Sequence, residues 1–198
     1  MAKTAQEGQT SKADEILSVG QELMQTDGYD GFSYRDIADR VGIKSATIHY
    51  YFPTKSDLAL AVARRYRAEF EETVQGLAVD SADPIEQLAG FAGIFQSTLE
   101  DLDRVCLCGM LASEYSSLPD EVRDEVGQFF TDQQAWIGAT ISSGIESGSI
   151  AAVADPDLFA QTFLSALEGA MVMARSMNKP DYLATVASQL LGLLDPNA

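Results

Sequence analysis

Apolar side chains recur every three or four positions along most of the chain, the period of a helix that buries one face. The first ten residues are polar and aperiodic and read as a flexible arm over 1–10. From Ser11 a first helix carries Ile16, Leu17, Leu23 and Met24 on one face, and Gly28 ends it after Asp27. Ser33 stands three residues before Asp36, a capping-box start with Asp in place of the usual Glu or Gln. Ile37, Ala38 and Val41 follow on one face, and Gly42 stops this short helix. A second short helix is predicted over 45–51, bounded by Phe52 and Pro53. Thr54, again three residues before an acid (Asp57), opens a longer helix bearing Leu58, Ala61, Val62 and Phe70 and running to about Leu77.

A turn-rich stretch over 79–84 reads as a linker, and Pro84 suits the first turn of the helix that follows. Beyond it the pattern predicts helices over 84–99, 104–115, 119–148 and 155–178. Asn178 and Pro180 break the last of these, and a final short helix covers 183–194. No strand-like alternation and no repeat appears. The fold class expected is all-α, with a helical head over 11–66 and a helical body over 67–198.

Composition narrows the class. Of 198 residues, 46% are hydrophobic and 22% charged, which excludes a disordered chain or a fibre, and two cysteines exclude a disulfide scaffold. No apolar run reaches the roughly 18 residues of a membrane span, and the first residues lack a secretory core, so a cytoplasmic protein with no membrane partner is expected. The formal charge of −17 argues against a nucleic-acid partner until its distribution is read. Residues 31–67 hold seven basic side chains (Arg35, Arg40, Lys44, Lys55, Arg64, Arg65, Arg67) against three acids (Asp36, Asp39, Asp57). One end of an acidic molecule is therefore positive, which points to a polyanion at that end only.

The same window holds SYRDIADRVGIKSATIHYYFPTK, from Ser33 to Lys55. Two short helices flank Gly42, with small Ala38 permitting close approach and Ile43 and Ile48 pinning the second helix beneath the first. That spacing suits a helix-turn-helix, whose second helix enters the major groove and meets base edges with its N-terminal residues. Here those are Lys44, Ser45, Ala46, Thr47 and His49, with Tyr50, Tyr51, Thr54 and Lys55 flanking. Lys55 at a helix N-terminus is a candidate phosphate contact, because free amides, the helix dipole and an ammonium converge there.

The run GFSYRDIADRVGIKSATIHYYFPTKSDL resembles the N-terminal domain of the tetracycline-repressor (TetR/AcrR) family of bacterial transcription regulators, most diagnostically in Tyr51, Phe52 and Lys55. The match covers about 11–66. The resemblance implies a homodimer bound to double-stranded operator DNA. Each subunit would have a three-helix DNA-binding head and a six-helix body for effector binding and dimerisation. It places Ser45, Ala46, Thr47 and His49 on bases and Tyr51 and Lys55 on phosphates. His49 stands where Tyr is more usual, so base preference does not carry over.

In the body, Phe91, Phe95, Cys106, Met110, Glu114, Trp136, Phe159 and Met171 are candidate pocket residues for an unidentified small-molecule effector, with plain core packing the alternative for the apolar ones. Glu114 and Glu168 lie on otherwise apolar helices, where an acid faces either a hydrogen-bonding ligand or solvent. Cys106 and Cys108, two residues apart, point about 200° from one another on a helix. With one histidine in the chain, no metal site or cofactor is expected. Cys106 also serves the alternative of a reactive-thiol sensor. Phe163, Leu167, Ala170, Met171 and Ala174, with Leu190 on the last helix, form stripes suited to a dimer interface. No nucleophile–base pair, paired carboxylates or phosphate loop speaks for an enzyme. A helical interaction protein without DNA binding is the other alternative.

Overall fold

The computed structural model describes residues 11–99 and 104–196. The expected arm over 1–10 lies outside the described residues. Among them the chain forms nine helices and no strand: α1 (Lys12–Asp27), α2 (Tyr34–Val41), α3 (Ser45–Tyr51), α4 (Lys55–Asp80), α5 (Pro84–Leu99), α6 (Leu107–Ser113), α7 (Asp120–Ser147), α8 (Pro156–Met177) and α9 (Asp181–Gly192). No helix of the described residues is long and apolar enough to cross a membrane.

Local chemistry sets the head. Ser11, Ser33 and Thr54 each exchange hydrogen bonds with the aspartate three residues on, so all three helix starts are closed by serine or threonine and an acid. The first two turns of α4 bury Leu58, Ala59, Val62 and Ala63, and Gly20 of α1 lies against Leu58 and Val62. α4 then continues without a break past residue 67 into the body, so head and body share one helix of 26 residues. It ends at Asp80, three residues beyond the expected Leu77, because the sequence 81–83 breaks it rather than the glycine at 76.

The body is organised by rings. Phe70 of α4 sits 5.8 Å, 6.0 Å and 5.0 Å from the ring centroids of Phe91, Phe95 and Phe129, in edge-on geometry. Trp136 stacks on Phe91 at 5.5 Å. α6 is shorter than the expected 104–115. The backbone before it is committed elsewhere: the Val105 carbonyl accepts from Gln25 Nε2 at 2.9 Å, and the Cys106 amide donates to Met171 Sδ at 2.9 Å. Cys106 is thus the residue preceding the helix, and the picture of two cysteines on one helix is corrected.

Candidate nucleic-acid interface

Gly42 closes α2 in the left-handed region (φ 71°, ψ 38°), a conformation that a side chain disfavours, and its amide bonds back to Ala38. Ile43 N donates to the same carbonyl at 3.0 Å, which turns the chain into α3. Ile48 is fully buried beneath α2, beside Ile37 and Ala38. Anchoring at Ile48 rotates the other side of α3 outward: Lys44, Ala46, His49 and Tyr50 are exposed, and Ser45 and Thr47 are half-exposed. Tyr50 is 82% exposed and meets the ring of Tyr51 edge-on at 5.2 Å. An aromatic so exposed gains nothing from the fold.

His49 Nδ1 lies 3.1 Å from the Pro53 carbonyl, which only accepts, so Nδ1 carries the proton and Nε2 is left outward. Tyr34 was not singled out by the sequence pattern. Its hydroxyl donates to the Phe52 carbonyl at 2.8 Å and also meets the Thr54 carbonyl, which fixes the turn between α3 and α4. Burial and the nearby Asp57 push its phenol up, so it remains a neutral donor.

The cations sort differently from their sequence count. Lys55 Nζ donates to the Phe32 carbonyl and lies 4.1 Å and 5.1 Å from the rings of Phe32 and Tyr29. Burial lowers its pKa, partly offset by Asp30, Glu114 and Asp36. Its ammonium is thus turned into the protein, while the backbone amides of Lys55 and Ser56 at the start of α4 face no acceptor among the described residues. Thr54 spends its hydroxyl on the cap. Arg67 pairs with Glu125 at 2.6 Å and Asp132 at 2.8 Å of α7, Arg64 reaches Glu125 at 3.4 Å, and Arg65 bonds α1 at Ser18 and Gln21. These three arginines tie the head to the body and to itself. Lys44, Arg35 and Arg40 remain at the outer face, the last two within 4.0 Å and 3.8 Å of exposed acids.

Beneath the head, Glu114 accepts from the Tyr29 amide and, at 3.5 Å, from that of Asp30. Arg175 donates to the Thr26 carbonyl at 3.1 Å. The expectation of Glu114 in a ligand pocket is therefore corrected: it ends α6 and holds the turn after α1.

Residues 16–62 match the family described as "Bacterial regulatory proteins, tetR family", and residues 84–190 match "Tetracyclin repressor-like, C-terminal domain". The chain belongs to the TetR family. A TetR-family regulator from Agrobacterium tumefaciens of known structure is 34% identical, with a TM-score of 0.90 over 93% of this chain and 97% of that one. The HTH-type transcriptional repressor DhaR of Mycobacterium sp. (strain GP1) is 26% identical over 89% of this chain and 90% of its own. The transcriptional regulator AcuR of Cereibacter sphaeroides is 25% identical over 85% and 78%.

Within this TetR body the expected pocket residues separate. Phe91, Phe95 and Met171 are buried, and Trp136 and Phe159 pack partly buried against the same core. Met110 does line a cavity, between α6 and α8. Cys106 and Cys108 are buried, and burial, reinforced by Glu168, pushes both thiols well up. That environment suppresses the thiolate a reactive sensor needs.

The expected interface stripe is also corrected. Phe163, Leu167, Ala170, Met171 and Ala174 are buried within the chain because α5, α7 and α9 pack on that side of α8, and Leu190 rests partly buried against the same core. α8 is apolar on its opposite face too. Leu158, Met173 and Met177 are 59%, 52% and 44% exposed there, Gly169 leaves open space, and Leu193 beyond α9 is 58% exposed.

Proposed function

We propose that the chain is a homodimeric repressor that binds a palindromic operator through α3 and is released by a small molecule bound in the body. The observation that carries this is α3 itself: Ile48 anchors it, and Lys44, Ser45, Ala46, Thr47 and Tyr50 are presented to solvent with no side-chain hydrogen bond to the fold among the described residues, while His49 holds the Pro53 carbonyl through Nδ1 and turns Nε2 outward beside them. These types offer donors, acceptors and a methyl, the vocabulary of major-groove readout. Phosphates are met by Tyr51, by Lys44 and by the free amides at the start of α4, where the helix dipole favours an anion. On this reading Lys55 reaches phosphate through its backbone, and its ammonium shapes the turn that presents the amide.

Two heads must stand about 34–36 Å apart to meet successive major grooves. Leu158, Gly169, Met173, Met177 and Leu193 supply the face for a second copy, since each exposes apolar surface that a partner would remove from water. α4 links head to body without interruption and serves as the lever. The test is a salt titration of operator binding. With six to ten phosphate contacts per complex, affinity should fall about 10³–10⁵-fold between 50 and 200 mM salt. Salt-independent binding, or none, overturns the reading.

A further inference from the structure

A cavity of about 500 Å³ opens between α6 and α8, and its lining differs in kind from the aromatic core. Val105, Met110 and Val172 give it apolar walls, and Glu168, Arg175 and Ser176 give it polar ones. Glu168 Oε1 is shut off from solvent and has no hydrogen-bond partner among the described residues. The other carboxyl oxygen lies against α6 where Gly109 makes room: a Cβ there would stand 2.5 Å from it. Burial drives this acid up to about 7. The Cys106 thiol bonds this carboxyl group, yet Oε1 keeps no donor of its own, which costs stability.

Arg175 lies seven residues further along α8, on the same face and about 10 Å along the axis. Both side chains line the cavity, and the Arg175 guanidinium is held at its α1 end. Its guanidinium forms a single hydrogen bond among the described residues, the one to the Thr26 carbonyl in the last turn of α1. The Glu168 carboxyl group thus stands in the cavity wall at one end, its Oε1 closed off and short of a donor until the group turns, and unused Arg175 donors stand at the other end, which touches the head.

We propose that this cavity is the effector site, and that it takes a small linear molecule with an ammonium at one end, donated to Glu168, and a carboxylate at the other, held by Arg175. The proposal rests on the reading of the chain as an effector-released regulator. A carboxylate is a stronger acceptor than a peptide carbonyl, so it draws Arg175 off Thr26 and frees α1 from the body. The connecting chain packs on Met110 and Val172.

The probe is 6-aminohexanoate, titrated calorimetrically into the full chain, with hexanoate and hexylamine as single-ended comparators. The two-ended probe binds, and each comparator binds at least about tenfold more weakly, the loss of one charged hydrogen bond. Glu168→Leu abolishes binding and raises the melting temperature, because an apolar side chain replaces an unpartnered acid. A glutamate with only a structural role would lower it. Arg175→Gln makes 6-aminohexanoate and hexylamine equal. No binding by the wild type at millimolar probe, equal affinity for the three compounds, or unchanged binding in Glu168→Leu overturns the site. Operator binding by fluorescence anisotropy is read in parallel. Probe binding through Glu168 with unaltered operator affinity upholds the site and removes release as its consequence. Absence of any DNA binding removes the regulator reading, and calorimetry still decides the site.

Discussion

Replacing Lys55 with methionine separates a structural ammonium from a DNA-contacting one. Methionine keeps an unbranched stem against the rings of Phe32 and Tyr29 and removes only the charge and its donors. Two losses follow. The Phe32 carbonyl, in a residue only 5% exposed, loses its charged donor, a change worth about 1.5–3 kcal/mol when fully buried. The cation also leaves the faces of two rings, worth about 0.5–1 kcal/mol at accessible sites. Lys55 is only half-buried, so solvent recovers part of both, and a net cost of about 2 kcal/mol is expected. For a chain of this size that lowers the melting temperature by about 4–8 °C. Calorimetry or circular dichroism measures it, and amide exchange should quicken over 29–34. The salt dependence of operator binding should keep its slope, since the phosphate is held by amides. An unchanged melting temperature with a slope shallower by about one for each subunit would refute the reasoning and put the ammonium on phosphate.

Four further outcomes are expected. Glu168 has a pKa of about 7 in the fold against 4.5 unfolded, so the native state holds the extra proton in that window, and stability declines as pH rises from 4.5 to 7 and levels above it. The groups facing it are Tyr66, Cys106 and Cys108, all held neutral by burial, so Glu168→Gln should remove roughly 3 kcal/mol of pH dependence in denaturant unfolding. Met173→Glu leaves the chain folded and sediments as a monomer, whereas Leu167→Glu, at a fully buried position, fails to fold; a dimeric Met173→Glu protein would place the interface elsewhere. Gly42→Ala forces a side chain into φ 71° and costs about 1–2 kcal/mol by thermal unfolding, although open space surrounds the position. Glu114→Gln speeds amide exchange at Tyr29 and Asp30 without altering exchange in α7 or α8.

The head was legible because its determinants are local. Ser33 with Asp36, Gly42, and Thr54 with Asp57 lie within four residues of what they control, and α3 begins and ends where the pattern places it. What escaped depends on partners distant in the chain. The start of α6 is set by Gln25, 80 residues before Val105, and by Met171, 65 residues after Cys106. Lys55 reads as a phosphate ligand until the fold brings the Phe32 carbonyl to it, and Arg64, Arg65 and Arg67 count towards the positive window until α1 and α7 claim them. α8 is apolar on two faces, and periodicity alone does not say which one its own chain covers. Small Ala170 and Ala174 suggested an interface between copies, whereas they admit neighbouring helices of the same chain. Glu168 was visible as an acid on an apolar helix. Only the fold distinguishes a buried, unpartnered carboxyl from a solvated one.

The claim that α3 reads base edges is tested most directly by selecting preferred operators from random duplex DNA with the wild type, Thr47→Ala and His49→Ala. Neither side chain is buried, but His49→Ala gives up the bond to the Pro53 carbonyl, so circular dichroism first checks that both variants are folded. Each variant should lose discrimination at one symmetric pair of positions, at about 1–3 kcal/mol for a lost base contact, and keep the rest of the preference. Identical selected sequences for all three proteins would contradict the assignment of α3 as the recognition helix.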